Sequence, residues 1–388
     1  MIARERTALA TRPVARRAAR LGPLARRRER WFYLLIAPWL LGFLLFKGGA
    51  PLVAELLEGA SVPDLPPAAQ ESAAWLARQL AQNRARLRAF EAELAAVLEG
   101  AAAHGVPVMP LKGALLAFTL HREPGLRPMA DLDLLVQPDD ELALHELLAG
   151  LGYRLMNGRK YSGVRHRTYE RPTDRVASGD GTHVDNPRRV ELHTRLIRTV
   201  WLDHGGAEMG AWVWSSSREG ELLGRPAQLP SPEALVIDVA AHATGHSMRG
   251  AGTLLQWYDI AALATRAERL DTAFAGWSYP ALALATRAFY DPAIATKVMA
   301  LAEAVDRNMV HHVAGVPLDD RAGLNLLGVH SNDLSWFASR WRRWRPNPWI
   351  VRLAYPGAPL PLAYPAYVGG VGVRAARKAA LAVLGGRR

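Results

Sequence analysis

Residues 126–136 read LRPMADLDLLV: a loop closed by Pro128, then acid and leucine in alternation through Asp131-Leu132-Asp133-Leu134. A period of two is that of a β-strand, so Asp131 and Asp133 project from one face and Leu132 and Leu134 from the other. Gln137-Pro138 ends the strand. Upstream, residues 67–104 are rich in Ala, Leu, Arg, Gln and Glu, with Leu80, Leu87, Phe90, Leu94 and Leu98 at helical spacing, and predict one long helix capped by Gly105. Val106 to Leu111 predicts a short strand, and Lys112-Gly113 opens a helix to about His121. Downstream, residues 139–150 predict a helix and Gly152-Tyr153 starts a further strand. Residues 157–187, polar and rich in Gly, Asp and Arg, predict a hairpin with a mobile tip. Val190-Glu191-Leu192-His193-Thr194-Arg195-Leu196 alternates again, as a half-buried strand does. Helices and strands in this order make a small α/β unit.

Glu191 supplies a third carboxylate from a separate strand that can pair beside the first. Three carboxylates on one face repel one another unless a cation lies between them. Oxygen donors suit Mg²⁺ (or Mn²⁺), which also binds phosphate oxygens. Two such ions can clamp the attacking and leaving oxygens of an in-line phosphoryl displacement. By itself an Asp-x-Asp pair is equally what a solvated strand end looks like. If repulsion dominates, Asp133→Asn removes a metal ligand with little loss of stability.

Leu111-Lys112-Gly113, Leu126-Arg127-Pro128, Asp131 to Val136, Gly152-Tyr153 and Glu191-Leu192-His193 follow one another in an order that resembles the bacterial "uncharacterised nucleotidyltransferase" family, within the DNA polymerase beta-like nucleotidyltransferase superfamily. The resemblance runs from about residue 70 to about residue 270. It implies a mixed-sheet nucleotidyltransferase core in which Asp131 and Asp133 bind metal and Glu191 is the third acidic ligand, all three catalytic. Lys112-Gly113 stands where the wider superfamily carries Gly-Ser or Gly-Gly. There Gly113 would admit a phosphate to backbone N–H groups at a helix N-terminus, and Lys112 would neutralise triphosphate charge. Arg127 is the remaining nucleotide-binding candidate; the alternative is that it pairs with an acid and shapes its loop.

Residues 232–267 predict Ala-rich helices. Asp238, His242 and His246 are spaced by four and share one helix face. Ala243 occupies the place of Glu in HExxH, so this is not that zinc motif. The resembled family carries similar histidines, followed by a Trp-x-x-Asp-like element, here Trp257-Tyr258-Asp259. His242, His246 and His193 are therefore acceptor-site candidates, with hydrogen-bonded helix packing as the structural alternative for the helical pair. His193 shares a strand face with Glu191 and would sit behind a metal ligand.

Composition bounds the remainder. The 388 residues are half hydrophobic and contain no Cys, which excludes disulfides, Cys-ligated zinc, iron–sulfur clusters and thiol nucleophiles. The net charge of +12 is unevenly placed: residues 1–30 carry +8, residues 334–388 carry +10, and the body between them is acidic at −6. A broad nucleic-acid-binding face is therefore not expected. Residues 31–46, WFYLLIAPWLLGFLLF, form an uncharged run shorter than the ~20 residues a span needs. With the Trp/Arg stretch 336–352, it suggests attachment to an anionic membrane surface; the alternatives are a buried core helix or a start assigned too early for 31–46, and for 336–352 an irregular wrap that packs its Trp residues on the body. Six prolines between 346 and 365 argue against one long helix there. Gly370-x-Gly372 has a dinucleotide-loop spacing but no room for a βαβ unit.

The resulting organisation is a basic tail (1–30), an apolar segment (31–54), a helix (67–105), a nucleotidyltransferase core (106–200), a mainly helical domain (201–333) and a basic Trp/Pro-rich end (334–388). The expected function is Mg²⁺-dependent transfer of a nucleoside monophosphate from an NTP to an acceptor, in the cytoplasm or at the inner membrane face. The alternative is a catalytically silent, membrane-tethered nucleotide-binding or scaffold protein.

Overall fold

A computed structural model describes residues 67–156, 166–173, 183–198, 207–247, 253–316, 348–355 and 357–385. The apolar run 31–46, the tip of the expected hairpin and Trp336, Trp341 and Trp344 lie outside them.

The fold is mixed α/β. Helix α1 (Pro67–Ala103) leads into strand β1 (Met109–Leu111), helix α2 (Lys112–Thr119), a 3₁₀ turn (Pro124–Leu126), β2 (Asp131–Leu135), a second 3₁₀ turn (Pro138–Asp140), α3 (Glu141–Gly150), β3 (Arg154–Leu155), β4 (Arg167–Arg171) and β5 (Arg188–His193). The five strands form one sheet in the order β1-β2-β5-β4-β3. Only β2 and β5 run parallel, and the other neighbours are antiparallel. Leu132, Leu134, Val190 and Leu192 are buried in the core, so the apolar alternation settles which sheet face is covered.

Helix α1 presents Leu80, Leu87, Phe90, Leu94, Val97 and Leu98 inward. It also contributes buried polar groups. The Arg86 guanidinium donates to the carbonyls of Met129 (3.3 Å) and Ala130 (3.2 Å) ahead of β2. It donates equally to those of His183 (3.1 Å), Asn186 (2.9 Å) and Pro187 (3.4 Å) ahead of β5. Its charge lies 4.9 Å from the centre of the Phe90 ring. Burial, and secondarily the nearby Arg188, lower its pKa to about 10. One side chain thus fixes the entry of both central strands. Two turns further, buried Glu93 accepts from Tyr153 (2.6 Å), Arg188 (2.7 Å) and Arg171 (3.1 Å). Gly125 brings the 3₁₀ turn against α1, where a Cβ would come within 2.5 Å of the Arg84 side chain.

Beyond the sheet come two hairpins, β6 (Ile197–Arg198) with β7 (Ala207–Glu208) and β8 (Arg218–Leu222) with β9 (Arg225–Leu229), with the short α4 (Gly210–Ser215) between them. The helical domain then follows: α5 (Pro232–Ser247), α6 (Leu254–Arg266), α7 (Ala275–Ala288), α8 (Pro292–Ala302) and α9 (Arg307–Ala314). Helix α5 is apolar nearly all round, as a central helix must be, and packs on both α6 and α7. Pro280 interrupts the hydrogen bonding of α7, and the Ala281 N–H instead donates to Thr244 Oγ1 on α5 at 3.2 Å. A reciprocal Thr253–Gln256 capping box starts α6.

The C-terminal prolines divide that region into α10 (Pro348–Ala354) and α11 (Leu360–Gly385). Pro365 nevertheless lies within α11, and so does the Gly370-x-Gly372 spacing, which is helix and not a phosphate loop. Trp349 is buried in the core, as the alternative of a C-terminal wrap packed on the body expects. Among the described residues, no helix is long and apolar enough to cross a membrane.

Candidate active site

The parallel pairing of β2 and β5 places Asp133 directly beside Glu191 and Asp131 beside Arg189. Counting in twos along both strands, Asp131, Asp133, Glu191 and His193 occupy one face of the sheet. The three carboxylates expected from the sequence therefore share a face, at its centre. The cations around them were only partly foreseen.

Lys112 is the first residue of α2, and its backbone is left-handed, with φ +44°. That conformation is unfavourable for a side chain with a Cβ and is characteristic of constrained sites. It places Nζ 2.6 Å from Asp133 Oδ1. His193 Nε2 lies 3.0 Å from the same oxygen. Burial alone would raise the pKa of Asp133. The Lys112 ammonium and the His193 hydrogen bond more than cancel that effect and hold the carboxyl well below its ordinary range. Burial lowers the pKa of His193, so its ring is held neutral.

The neighbouring carboxylates go the other way. Burial, then the charge of Asp133, pushes Asp131 up to about 6. Burial, then the charges of Asp133 and Asp131, pushes Glu191 up to about 8. The cluster thus holds one firmly ionised carboxylate and two whose pKa values are raised by burial and by neighbouring negative charge. A divalent cation would relieve this crowding, and oxygen donors suit a hard metal ion, but among the described residues the three carboxylates do not each bring an oxygen within 4.8 Å of the other two. Asp131 and Glu191 are half-buried, leaving a route for solvent and ligand.

Gly113 follows Lys112. A Cβ there would lie 2.8 Å from Arg127 Nη1 and 3.0 Å from Met129 Sδ, so glycine is needed for the loop before β2 to close against α2. Arg127 is anchored: Nε and Nη2 donate to Asp259 Oδ2 at 3.0 and 2.9 Å. His121 Nε2 approaches the other oxygen of Asp259 at 2.8 Å. Asp259 is fully buried on α6. The guanidinium expected to meet phosphate is thus occupied in tying the α/β core to the helices that follow it, although its charge still lowers the pKa of Asp131.

Of the three histidines expected at an acceptor site, only His193 is placed here against the carboxylates. His242 and His246 pair with each other on α5, their ring centres 4.3 Å apart, and His246 Nδ1 lies 3.5 Å from Gln256 Nε2. Asp238, one turn earlier, is buried in an ion pair with Arg198. The sequence reading missed His166. Its Nε2 lies 3.4 Å from Glu191 Oε1, and its ring centre lies 5.0 Å from that of His193. It stands two residues before Thr168, the β4 partner of Glu191. That spacing becomes a signal only once β4 and β5 are known to pair.

Residues 40–277, more than half of the chain, match the family described as uncharacterised nucleotidyltransferase. The chain belongs to that family. Among solved structures, the nucleotidyltransferase is similar to ANT(2")-Ia in complex with adenylyl-2"-tobramycin, at 18% identity and a TM-score of 0.32, covering 45% of this chain and 88% of that one. It is also similar to an antigenic nucleotidyltransferase-like protein from Paracoccidioides brasiliensis, at 13% identity and a TM-score of 0.32, covering 58% of this chain and 91% of that one. No curated protein matches the nucleotidyltransferase.

Proposed function

We propose that this nucleotidyltransferase moves a nucleoside monophosphate from an NTP to an acceptor, with release of pyrophosphate, and depends on Mg²⁺ or Mn²⁺. The observation that carries the reading is the in-register pairing of Asp133 with Glu191 on the face that also bears Asp131. These three carboxylates would hold the cation, which when bound neutralises phosphate oxygens and sharpens the electrophilic phosphorus. Lys112 would turn from Asp133 to the triphosphate once the cation takes over the carboxylate, and Gly113 would leave space for phosphate at the start of α2. Glu191 would complete the cation site and orient or deprotonate the attacking group. The remaining acceleration would come from positioning and charge stabilisation. His193 would orient Asp133, and His242 and His246 would contribute to an acceptor surface on α5. On this reading the need for NTP and Mg²⁺ favours the cytoplasm, and residues 31–46 with the Trp/Arg stretch 336–352 would meet an anionic membrane face; protease protection on intact cells tests the location.

The enzymatic test supplies the full chain with each NTP, Mg²⁺ and a metabolite extract. It reads pyrophosphate and acceptor adducts of about +305 to +345 Da, the nucleotidyl mass range. Asp131→Asn and Asp133→Asn should abolish both signals. Nucleotide binding without pyrophosphate release under any acceptor mixture would favour the silent scaffold instead.

A further inference from the structure

The phosphate chemistry just described uses His193 only to orient Asp133 and leaves His166 without a role, although the two imidazoles flank Glu191. Continued one residue beyond the Arg167–Leu192 pair, the cross-strand register sets His166 opposite His193, and Glu191, two residues before His193, shares their face. Glu191 presents one oxygen to each ring: His166 Nε2 lies 3.4 Å from Oε1, and His193 Nε2 lies 3.8 Å from Oε2. Both separations exceed the ~2.7–3.2 Å of a good hydrogen bond. They are close to the roughly 3.4 Å that separates two ligand atoms around a tetrahedral ion with bonds of ~2.0–2.1 Å. One ligand atom from each of the three residues falls within 4.8 Å of the other two. Among the described residues this is the one His/Asp/Glu grouping with that property.

We infer that His166, Glu191 and His193 form a second cation site, selective for a zinc-class transition ion and sharing Glu191 with the carboxylate cluster. The donor set decides the selectivity. Two neutral nitrogens and one oxygen suit Zn²⁺ or Co²⁺, whereas Mg²⁺ prefers an all-oxygen shell with several waters. Occupancy exchanges the His193–Asp133 hydrogen bond for a bond to the ion, and Asp133 keeps Lys112. Three protein ligands leave a fourth position for water or another oxygen ligand. His166 and Glu191 are each half-exposed enough for an ion to enter, while His193 is buried and fixed in place. The site stands on its own donors and not on nucleotidyl transfer, so the two readings can fail separately.

The test uses the full chain, stripped with chelator, with no nucleotide present. Co²⁺ should bind one ion per chain and give the intense visible absorption of a low-coordinate site containing nitrogen donors. Zn²⁺ should displace it, and Mg²⁺ at equal concentration should not. His166→Ala should weaken Co²⁺ binding more than about tenfold, a loss at least as large as that for a residue that merely supports a ligand. Should that variant not fold, the wild-type protein serves: in ¹⁵N-histidine-labelled chain, Zn²⁺ should shift the side-chain resonances of two of the twelve imidazoles. Unchanged Co²⁺ affinity in folded His166→Ala, absence of Co²⁺ binding, or Zn²⁺ leaving all imidazole resonances unmoved would each overturn the site.

Discussion

At the scale of single residues, the carboxylates are not equivalent. The sequence predicts three repelling acids, one of which can be neutralised at little cost to stability. Asp133 instead accepts from Lys112 and His193 and is the acid whose ionised form the fold stabilises. Asp133→Asn should therefore remove activity and also destabilise the metal-free chain by about 1–3 kcal/mol, because it leaves a buried ammonium without its anion; urea unfolding in chelator reads this directly. Glu191 behaves oppositely. Its pKa is about 8 in the folded chain against an ordinary value of 4.5. Between those values the unfolded state has lost a proton that the folded state retains, so folding is progressively penalised as pH rises. The metal-free protein should lose stability from about pH 4.5 to pH 8, and Glu191→Gln should flatten that slope. Thermal melts across this range, with and without Mg²⁺, check it; a wild-type slope unchanged in the variant would remove Glu191 as the cause. Arg86 was invisible as a special residue, one arginine among many on α1. Its five carbonyl partners make Arg86→Met a change that should cost more than about 3 kcal/mol, since the strand-entry carbonyls are left buried and unpaired.

At the scale of elements, the period-two alternation of β2 and β5 was legible, and it carried the site because pairing two alternating strands in register brings their polar faces together. The long α1 was legible for the same reason at helical period. The junction between α2, the loop before β2 and α6 was not. Asp259 sits 132 residues from Arg127, and nothing in local spacing links them. Breaking this junction with Asp259→Asn should lower stability by about 1–3 kcal/mol and reduce the rise in melting temperature given by MgATP, with bulk helicity retained. Circular dichroism and thermal shift in parallel separate these effects; loss of helicity would show that Asp259 holds the domain itself.

At the scale of the whole molecule, the C-terminal helices belong to the fold and are not an appended tail. Trp349, Ile350, Val351 and Leu353 of α10 are buried, and Gly276 on α7 leaves room for Leu353, which a Cβ would approach to 2.7 Å. Arg352 pairs with Asp306 at the start of α9. A chain ending at residue 347 should thus lose several kcal/mol, at about 1.5–3 kcal/mol for each large apolar side chain exposed. Its melting temperature, set against that of a chain lacking only residues 386–388, measures the contribution.

Sequence alone determined what repeats locally: the alternation that makes β2 and β5, the helical period of α1, the three acids on strand positions and the ordered motifs that resemble the nucleotidyltransferase family. It could do so because backbone periodicity ties side-chain direction to position in the chain. The tertiary structure decided which partners those acids meet. Lys112 on Asp133, His166 beside Glu191, Arg127 on Asp259 and Arg86 across two strand entries all join segments distant in sequence. Their chemistry is set by separations of a few ångströms and by burial, and neither is encoded in local spacing.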